Sequence, residues 1–273
     1  MAHELEVIER KSNLPTEHPP LLFVHGSGHG AWCWAEHFLD YFAERGFNAY
    51  ALSLRGHGRS IGRERLRWTS IADYVDDVAQ AAAALPSAPV VAGHSLGGMI
   101  VQKYLERRVA PAAVLVAPAP PGGMLEQGTR LFLQNPRVAV DMFLTLDPGK
   151  MFSTRKRASR FLFSPELEKA KLQSYAAQLG RESFRAIMEL SFVRPDPALV
   201  RRTPLLVLGG SRDYLTPPST AIRTANTYGA DARILPDIAH DLMLDPDWRR
   251  AADAMREWLI GQIHRGSVPD HAR

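Results

Sequence analysis

Six short apolar runs recur along this chain, each closed by a glycine- or proline-bearing turn and most separated by stretches of helical character. That alternation constrains the fold more than any other feature. Strands that read as continuous apolar runs must be covered on both faces, and helices packed on either side of a mainly parallel sheet provide the cover. The runs are residues 21–24, 49–54, 89–92, 113–116, 205–208 and 232–235. Helices are expected over 34–45, 71–85, 96–107, 218–228 and 246–264, the last with Asp245 as N-cap and Pro246 in its first turn.

Segment 120–197 breaks the pattern. It is helical in character, rich in Phe and Leu, and punctuated by Pro136, Pro148, Pro165, Pro195 and Pro197. A long insertion after a sheet strand reads as a cap over the C-terminal strand edge, where open α/β sheets bind ligands. The expected organisation is a core of 1–119 and 198–265, a helical cap of 120–197, and a flexible tail of 266–273.

At 273 residues the chain suits one large α/β domain or two small ones. The single cysteine, Cys33, cannot close an intrachain disulfide or found a cysteine-rich zinc site, which fits a reducing compartment. The first fifteen residues carry charges where a signal peptide needs an apolar core, and no stretch approaches the roughly 20 apolar residues of a spanning helix. A soluble, cytoplasmic protein without membrane insertion is expected. Net charge is +4, from 33 Lys plus Arg against 29 Asp plus Glu. The densest basic run, Arg55, Arg59, Arg63, Arg65 and Arg67, lacks the interleaved aromatics of a nucleic-acid surface, so it reads as a solvated loop and no nucleic-acid partner is expected. Cap helices and the final helix could form a homodimer surface.

The chemistry concentrates at the turns after the strands. Gly93-His94-Ser95-Leu96-Gly97 leaves a strand and opens a helix, the context in which a Gly-x-Ser-x-Gly elbow exposes a nucleophilic hydroxyl. A serine hydroxyl needs an imidazole to take its proton and a carboxylate to orient that imidazole. Asp213 follows the run 205–208 and His240 follows 232–235, so the order is Ser, Asp, His. Asp237, Asp241 and Asp245 are rival carboxylates near His240, and Asp213 could alternatively cap its own loop. His94, beside the nucleophile, packs or orients the elbow. Backbone donors for an oxyanion are expected from Leu96, the first residue of the helix, and from Ser27 in the loop His25-Gly26-Ser27-Gly28-His29-Gly30. That loop has neither the Lys-Ser/Thr ending of a P-loop nor a dinucleotide-binding register.

These motifs, with Arg55-Gly56-His57-Gly58-Arg59-Ser60, resemble the α/β-hydrolase superfamily from about Leu21 through Leu259. The run from His25 to Trp34 is similar to that of the small carboxylesterase, methylesterase and hydroxynitrile-lyase branch. The resemblance implies Ser95, Asp213 and His240 as catalytic groups, oxyanion amides at Ser27 and Leu96, and no metal or organic cofactor. A small-molecule ester is expected as substrate, with His25, Gly26, Phe132 and Phe143 as candidate contacts and Trp32 and Trp34 as packing residues. Dehalogenase and epoxide-hydrolase members place an Asp where Ser95 stands, and hydroxynitrile lyases use a lysine near the catalytic histidine where this chain has Asp241. Ester hydrolysis through an acyl-serine is therefore the leading expectation. C–C bond, lactone or amide hydrolysis by the same machinery is the alternative, with a non-catalytic receptor behind it.

The cap offers Phe132, Phe143, Phe152, Phe161, Phe163, Phe184 and Phe192 with Leu125, Leu131 and Met142, enough apolar surface for an acyl or aryl pocket. Arg130, Arg155, Lys156 and Arg160 could instead read a substrate carboxylate.

Overall fold

The computed structural model describes residues 4–266. Its strands are β1 (Val7–Arg10), β2 (Leu21–Val24), β3 (Ala49–Leu52), β4 (Val90–His94), β5 (Ala113–Val116), β6 (Leu205–Gly210) and β7 (Asp231–Leu235). They form one sheet in the order β1-β3-β2-β4-β5-β6-β7, parallel except for β1, which runs antiparallel to β3. The helices are α1 (Trp32–Ala35), α2 (Phe38–Ala43), α3 (Ile71–Ala83), α4 (Leu96–Arg107), α5 (Leu125–Gln134), α6 (Pro136–Thr145), α7 (Arg155–Phe161), α8 (Lys169–Gln178), α9 (Phe184–Glu189), α10 (Pro197–Val200), α11 (Pro218–Tyr228) and α12 (Trp248–Gly266).

Side-chain alternation along the central strands explains why they are apolar throughout. Leu21 and Phe23 of β2, Val90 and Ala92 of β4 and Leu206 and Leu208 of β6 face a core shared with Trp34, Phe38, Met255 and Leu259. Their neighbours Leu22, Val24, Val91, Leu205 and Val207 face a second core with Tyr74, Val78, Met99 and Ile100. Each of these central strands thus buries both faces, as a parallel sheet between helices requires.

Several boundaries differ from expectation. Strand β1 was not anticipated, because its four residues are mostly exposed and carry no apolar alternation; it is an edge strand, where the charges of Glu9 and Arg10 discourage further pairing. The strand at 49–54 stops at Leu52, since the Leu54 N–H leaves the ladder and donates to His25 Nε2 at 3.0 Å. The helix expected over 34–45 is two helices broken at His37, whose backbone (φ −143°) is not helical and whose ring stacks on Trp248. The last helix begins at Trp248 rather than Pro246, because Asp245 turns its carboxylate to the Asp247 N–H (3.0 Å) and to the Ser164 hydroxyl. Gly266, expected to open a flexible tail, closes α12, and residues 267–273 lie outside the described residues.

Between β5 and β6 the described chain is helical, running from α5 to α10 with a 3₁₀ turn over Pro148–Phe152. Helix α10 packs on α4 and α11, in the layer covering the sheet.

Candidate active site

The four expected loops converge at the C-terminal edge of the sheet, after β2, β4, β6 and β7. Ser95 sits between β4 and α4 with φ 51° and ψ −115°, a conformation a non-glycine residue holds only under constraint, at a cost of about 1–3 kcal/mol. The constraint is visible. Its N–H donates to the Val116 carbonyl at 3.0 Å, and its carbonyl accepts from Gly98 and Ala119 at 3.0 Å each. The glycines on either side are steric necessities: a Cβ on Gly93 would run into the Gly97 carbonyl, and one on Gly97 into the carbonyls of His25 and Val24.

His240 Nδ1 lies 2.8 Å from Asp213 Oδ2, and both side chains are buried. Asp213 uses its other oxygen to accept the N–H groups of Leu215 and Thr216 at 2.8 Å each. The loop-capping and histidine-orienting readings of this residue therefore hold together, one per oxygen. Thr216 Oγ1 stands 2.7 Å from Asp213 Oδ2 and 3.4 Å from His240 Nδ1. Burial opposes a charged His240, but Asp213, with Asp241 behind it, holds its pKa above the ordinary histidine value.

Asp241, weighed in the sequence only as a rival to Asp213, has a different position. Its Oδ2 is 3.0 Å from His29 Nε2, and its Oδ1 is 3.6 Å from His94 Nε2. Burial would raise its pKa, yet the histidines His29, His94 and His240 hold it below the usual carboxylate value. His94 Nε2 is also 3.1 Å from the His240 carbonyl, so the Nε2–H tautomer of His94 steadies the His240 backbone. Burial and the neighbouring His240 push the His94 pKa down to about 3, which keeps it neutral. It thus packs against Gly26 and contacts the His240 backbone.

Ser95, Leu96, Ser27 and Thr216 line one cavity of about 100 Å³, whose remaining wall is Ala119, Met124, Leu131, Phe132, Met142, Pro148, Met151, Phe152, Ile187, Leu190 and Leu215. Among the described residues no charged side chain lines it. Leu96 opens α4, where the first N–H groups have no intrahelical acceptor. The expected substrate contacts divide. Phe132 is in the wall, whereas Phe143 is half exposed and packs edge-on against Phe132 and Phe184, one layer out.

His25 and Gly26 lie outside the wall. His25 is fully buried, with Nδ1 2.8 Å from the Gly26 carbonyl and Nε2 accepting from Leu54, so both ring nitrogens are committed to backbone. Gly26 faces the His94 ring so closely that a Cβ there would clash.

Trp34 is a core residue, as expected, while Trp32 is partly buried and stacks on His29. Arg130, Arg155, Lys156 and Arg160 are exposed and outside the cavity wall. The arginine run is structural at its first member: Arg55 Nη2 lies 2.6 Å from the buried Asp77.

Residues 21–252 match the model of the Alpha/beta hydrolase family. The chain belongs to that family. It is 24% identical over 240 residues, 83% of each chain, to a monoacylglycerol lipase of Mycolicibacterium smegmatis. It is 29% identical over 158 residues to methyl jasmonate esterase 1 of Vitis vinifera, covering 55% of this chain and 58% of that one. Among solved structures, an esterase from Exiguobacterium antarcticum superposes with a TM-score of 0.74 at 15% identity, over 94% of this chain and 96% of that one, and so shares the fold. Among the described residues no helix is long and apolar enough to cross a membrane.

Proposed function

We propose that this α/β-hydrolase cleaves carboxylic esters of small to medium, moderately apolar substrates through an acyl-serine intermediate. The observation that carries the reading is the shared cavity: Ser95 on its strained elbow opens into it beside Ser27, Leu96 and Thr216, and Thr216 touches the His240–Asp213 pair. Relatives that include a monoacylglycerol lipase and a methyl jasmonate esterase support ester chemistry.

In this reading, Ser95 Oγ attacks the ester carbonyl carbon while His240 Nε2 takes the hydroxyl proton. The carbonyl oxygen becomes an anion received by the N–H groups of Ser27 and Leu96. Collapse of the tetrahedral intermediate breaks the bond to the alkoxy oxygen, which leaves as the alcohol with the proton from His240. Water then attacks the acyl carbon, giving its proton to the same imidazole, and the acid departs as Ser95 recovers its own. Asp213 holds the ring tautomer throughout, and the raised pKa of His240 matches the charge it must carry in mid-cycle.

The apolar wall favours an uncharged acyl group, since a buried charge with no partner there would cost several kcal/mol. The segment 120–197 is read as the cap that supplies most of that wall, with α10 belonging to the core side of the boundary.

The test is intact-protein mass after treatment with a fluorophosphonate probe, alongside turnover of short and medium p-nitrophenyl esters and of a vinylogous diketone. A single adduct that vanishes in Ser95→Ala, together with ester turnover, is expected. Full ester turnover by Ser95→Ala would sink the proposal, and a strong preference for the diketone would move it to C–C hydrolysis.

A further inference from the structure

We propose that Glu182, supplied by the cap, is a positioning residue for the oxyanion loop, so that cap packing and oxyanion stabilisation are coupled. The inference rests on the reading above, in which the Ser27 N–H receives the developing charge.

Two peptide planes set the direction of that N–H. The Gly26–Ser27 plane carries it, and its carbonyl accepts from His25 Nδ1 at 2.8 Å, an anchor entirely within the core. The Ser27–Gly28 plane follows. Its carbonyl is 2.9 Å from His29 Nδ1, and its N–H, on Gly28, donates to Glu182 Oε2 at 3.1 Å. The Gly28 carbonyl in turn accepts the Gly180 N–H at 2.7 Å. The loop immediately after Ser27 is therefore tied to the chain just before α9, about 150 residues away in sequence, as well as to the core.

The Glu182 carboxylate is built for one orientation. Oε1 accepts the Ser183 N–H at 2.6 Å and the Tyr74 hydroxyl at 2.8 Å, while Oε2 accepts Gly28 and lies 3.3 Å from His57 Nε2. The contact to His57 is an ion pair out of line for a hydrogen bond. His57 Nδ1 is 3.2 Å from the Arg55 carbonyl, so protonation at both nitrogens gives each a favourable neighbour. Burial would drive the Glu182 pKa up, yet His57, Ser183 and Tyr74 bring it down to about 2. Burial likewise disfavours a charged His57, but Glu182 holds it above the ordinary histidine value.

A buried ion pair is weak evidence for stability, because desolvation offsets much of its attraction. Its distinguishing property is fixed geometry. Here four contacts converge on one carboxylate, and one of them is the residue beside the oxyanion donor. The same cap segment has a separate anchor that does not touch Gly28: Asp147 accepts the Glu182 N–H at 3.3 Å and pairs with Arg181 at 3.2 Å. Asp147 lies in the same 120–197 segment, so this contact separates bracing within the cap from loop positioning.

The experiment measures kcat, KM, melting temperature and inhibition by a trifluoromethyl ketone in the full-length protein, for Glu182→Gln, Glu182→Asp, Arg181→Ala and Ser95→Ala. Glutamine leaves one acceptor oxygen where two are used. We expect Glu182→Gln to lose about tenfold to a hundredfold in kcat with KM changed less than about twofold, and to weaken the ketone in proportion to kcat/KM. Glu182→Asp, which keeps the charge, should recover part of the loss, and Arg181→Ala should keep kcat near wild type. A folded Glu182→Gln with wild-type kcat overturns the inference, as does a kcat loss equal to that of Arg181→Ala. If Glu182→Gln does not fold, the same readings on Glu182→Asp decide: kcat and ketone affinity falling together support it, and an unchanged kcat overturns it. Full turnover by Ser95→Ala would instead remove the underlying ester-hydrolase reading.

Discussion

Two histidine–carboxylate pairs are buried in this molecule, and they differ in what surrounds them. Asp213 and His240 come from neighbouring strand ends of the core, and Thr216 joins them to the apolar cavity. Glu182 and His57 join the insertion to the loop after β3, and every oxygen of the carboxylate is spent on protein partners. In the proposed reading the first pair serves the chemistry at Ser95, whereas the second holds backbone in place. In that reading the same two residue types become reactive or structural according to which partners tertiary packing delivers.

The comparison breaks first at Ser95. Ser95→Ala should lower ester turnover by about four orders of magnitude or more while the protein stays folded, as circular dichroism and steady-state kinetics would show. Asp213→Asn should cost about 10³–10⁴-fold in kcat, because the amide favours the wrong imidazole tautomer. If its loss were no greater than that of Glu182→Gln, the distinction between the two pairs would collapse.

Asp241→Asn sharpens the comparison through pH. The carboxylate raises the His240 pKa, so its removal should shift the acid limb of kcat/KM to lower pH, with kcat at alkaline pH changed only several-fold. An acid limb that stays in place would show that Asp241 has no electrostatic reach to the base.

The second pair should report on stability. The Glu182 pKa falls from an ordinary 4.5 to about 2, so its contribution is fully present above pH 4.5 and lost as pH drops toward 2. His57 is raised above 6.5, so its contribution is fully present below pH 6.5 and lost as pH rises through the folded value. The melting-temperature difference between wild type and Glu182→Gln should therefore be largest between about pH 4.5 and 6.5 and shrink on either side. A difference independent of pH would contradict the charged pair. The smallest effects belong to the pocket rim. Phe132→Ala should shift acyl preference toward longer chains by about tenfold in kcat/KM, while Phe143→Ala, half exposed, should change it by less than about threefold.

Much of the frame was legible because it is written in local signals. The apolar runs at 21–24, 113–116 and 205–208 coincide with strands that bury both faces, and the glycines around Ser95 announce a crossing too tight for side chains. Asp213 and His240 could be named because strand-end position and chain order suffice to bring them to the same edge. The edge strand β1 escaped because its pairing with β3, and not its own polar sequence, makes it a strand.

The division of roles among the buried polar groups was not legible. His25 looks like a substrate contact in the sequence, and only the Leu54 and Gly26 bonds reveal a backbone pin. Asp241 lies next to His240 in sequence yet serves His29, 212 positions away, and nothing local distinguishes Glu182 from an exposed acid near a cap helix. By itself the sequence determined the sheet, the elbow and the order of the candidate triad, because periodicity, glycine sterics and turn chemistry act over a few residues. Only tertiary structure decided which carboxylate faces which histidine, because a buried charge takes its meaning from partners that folding brings from distant parts of the chain.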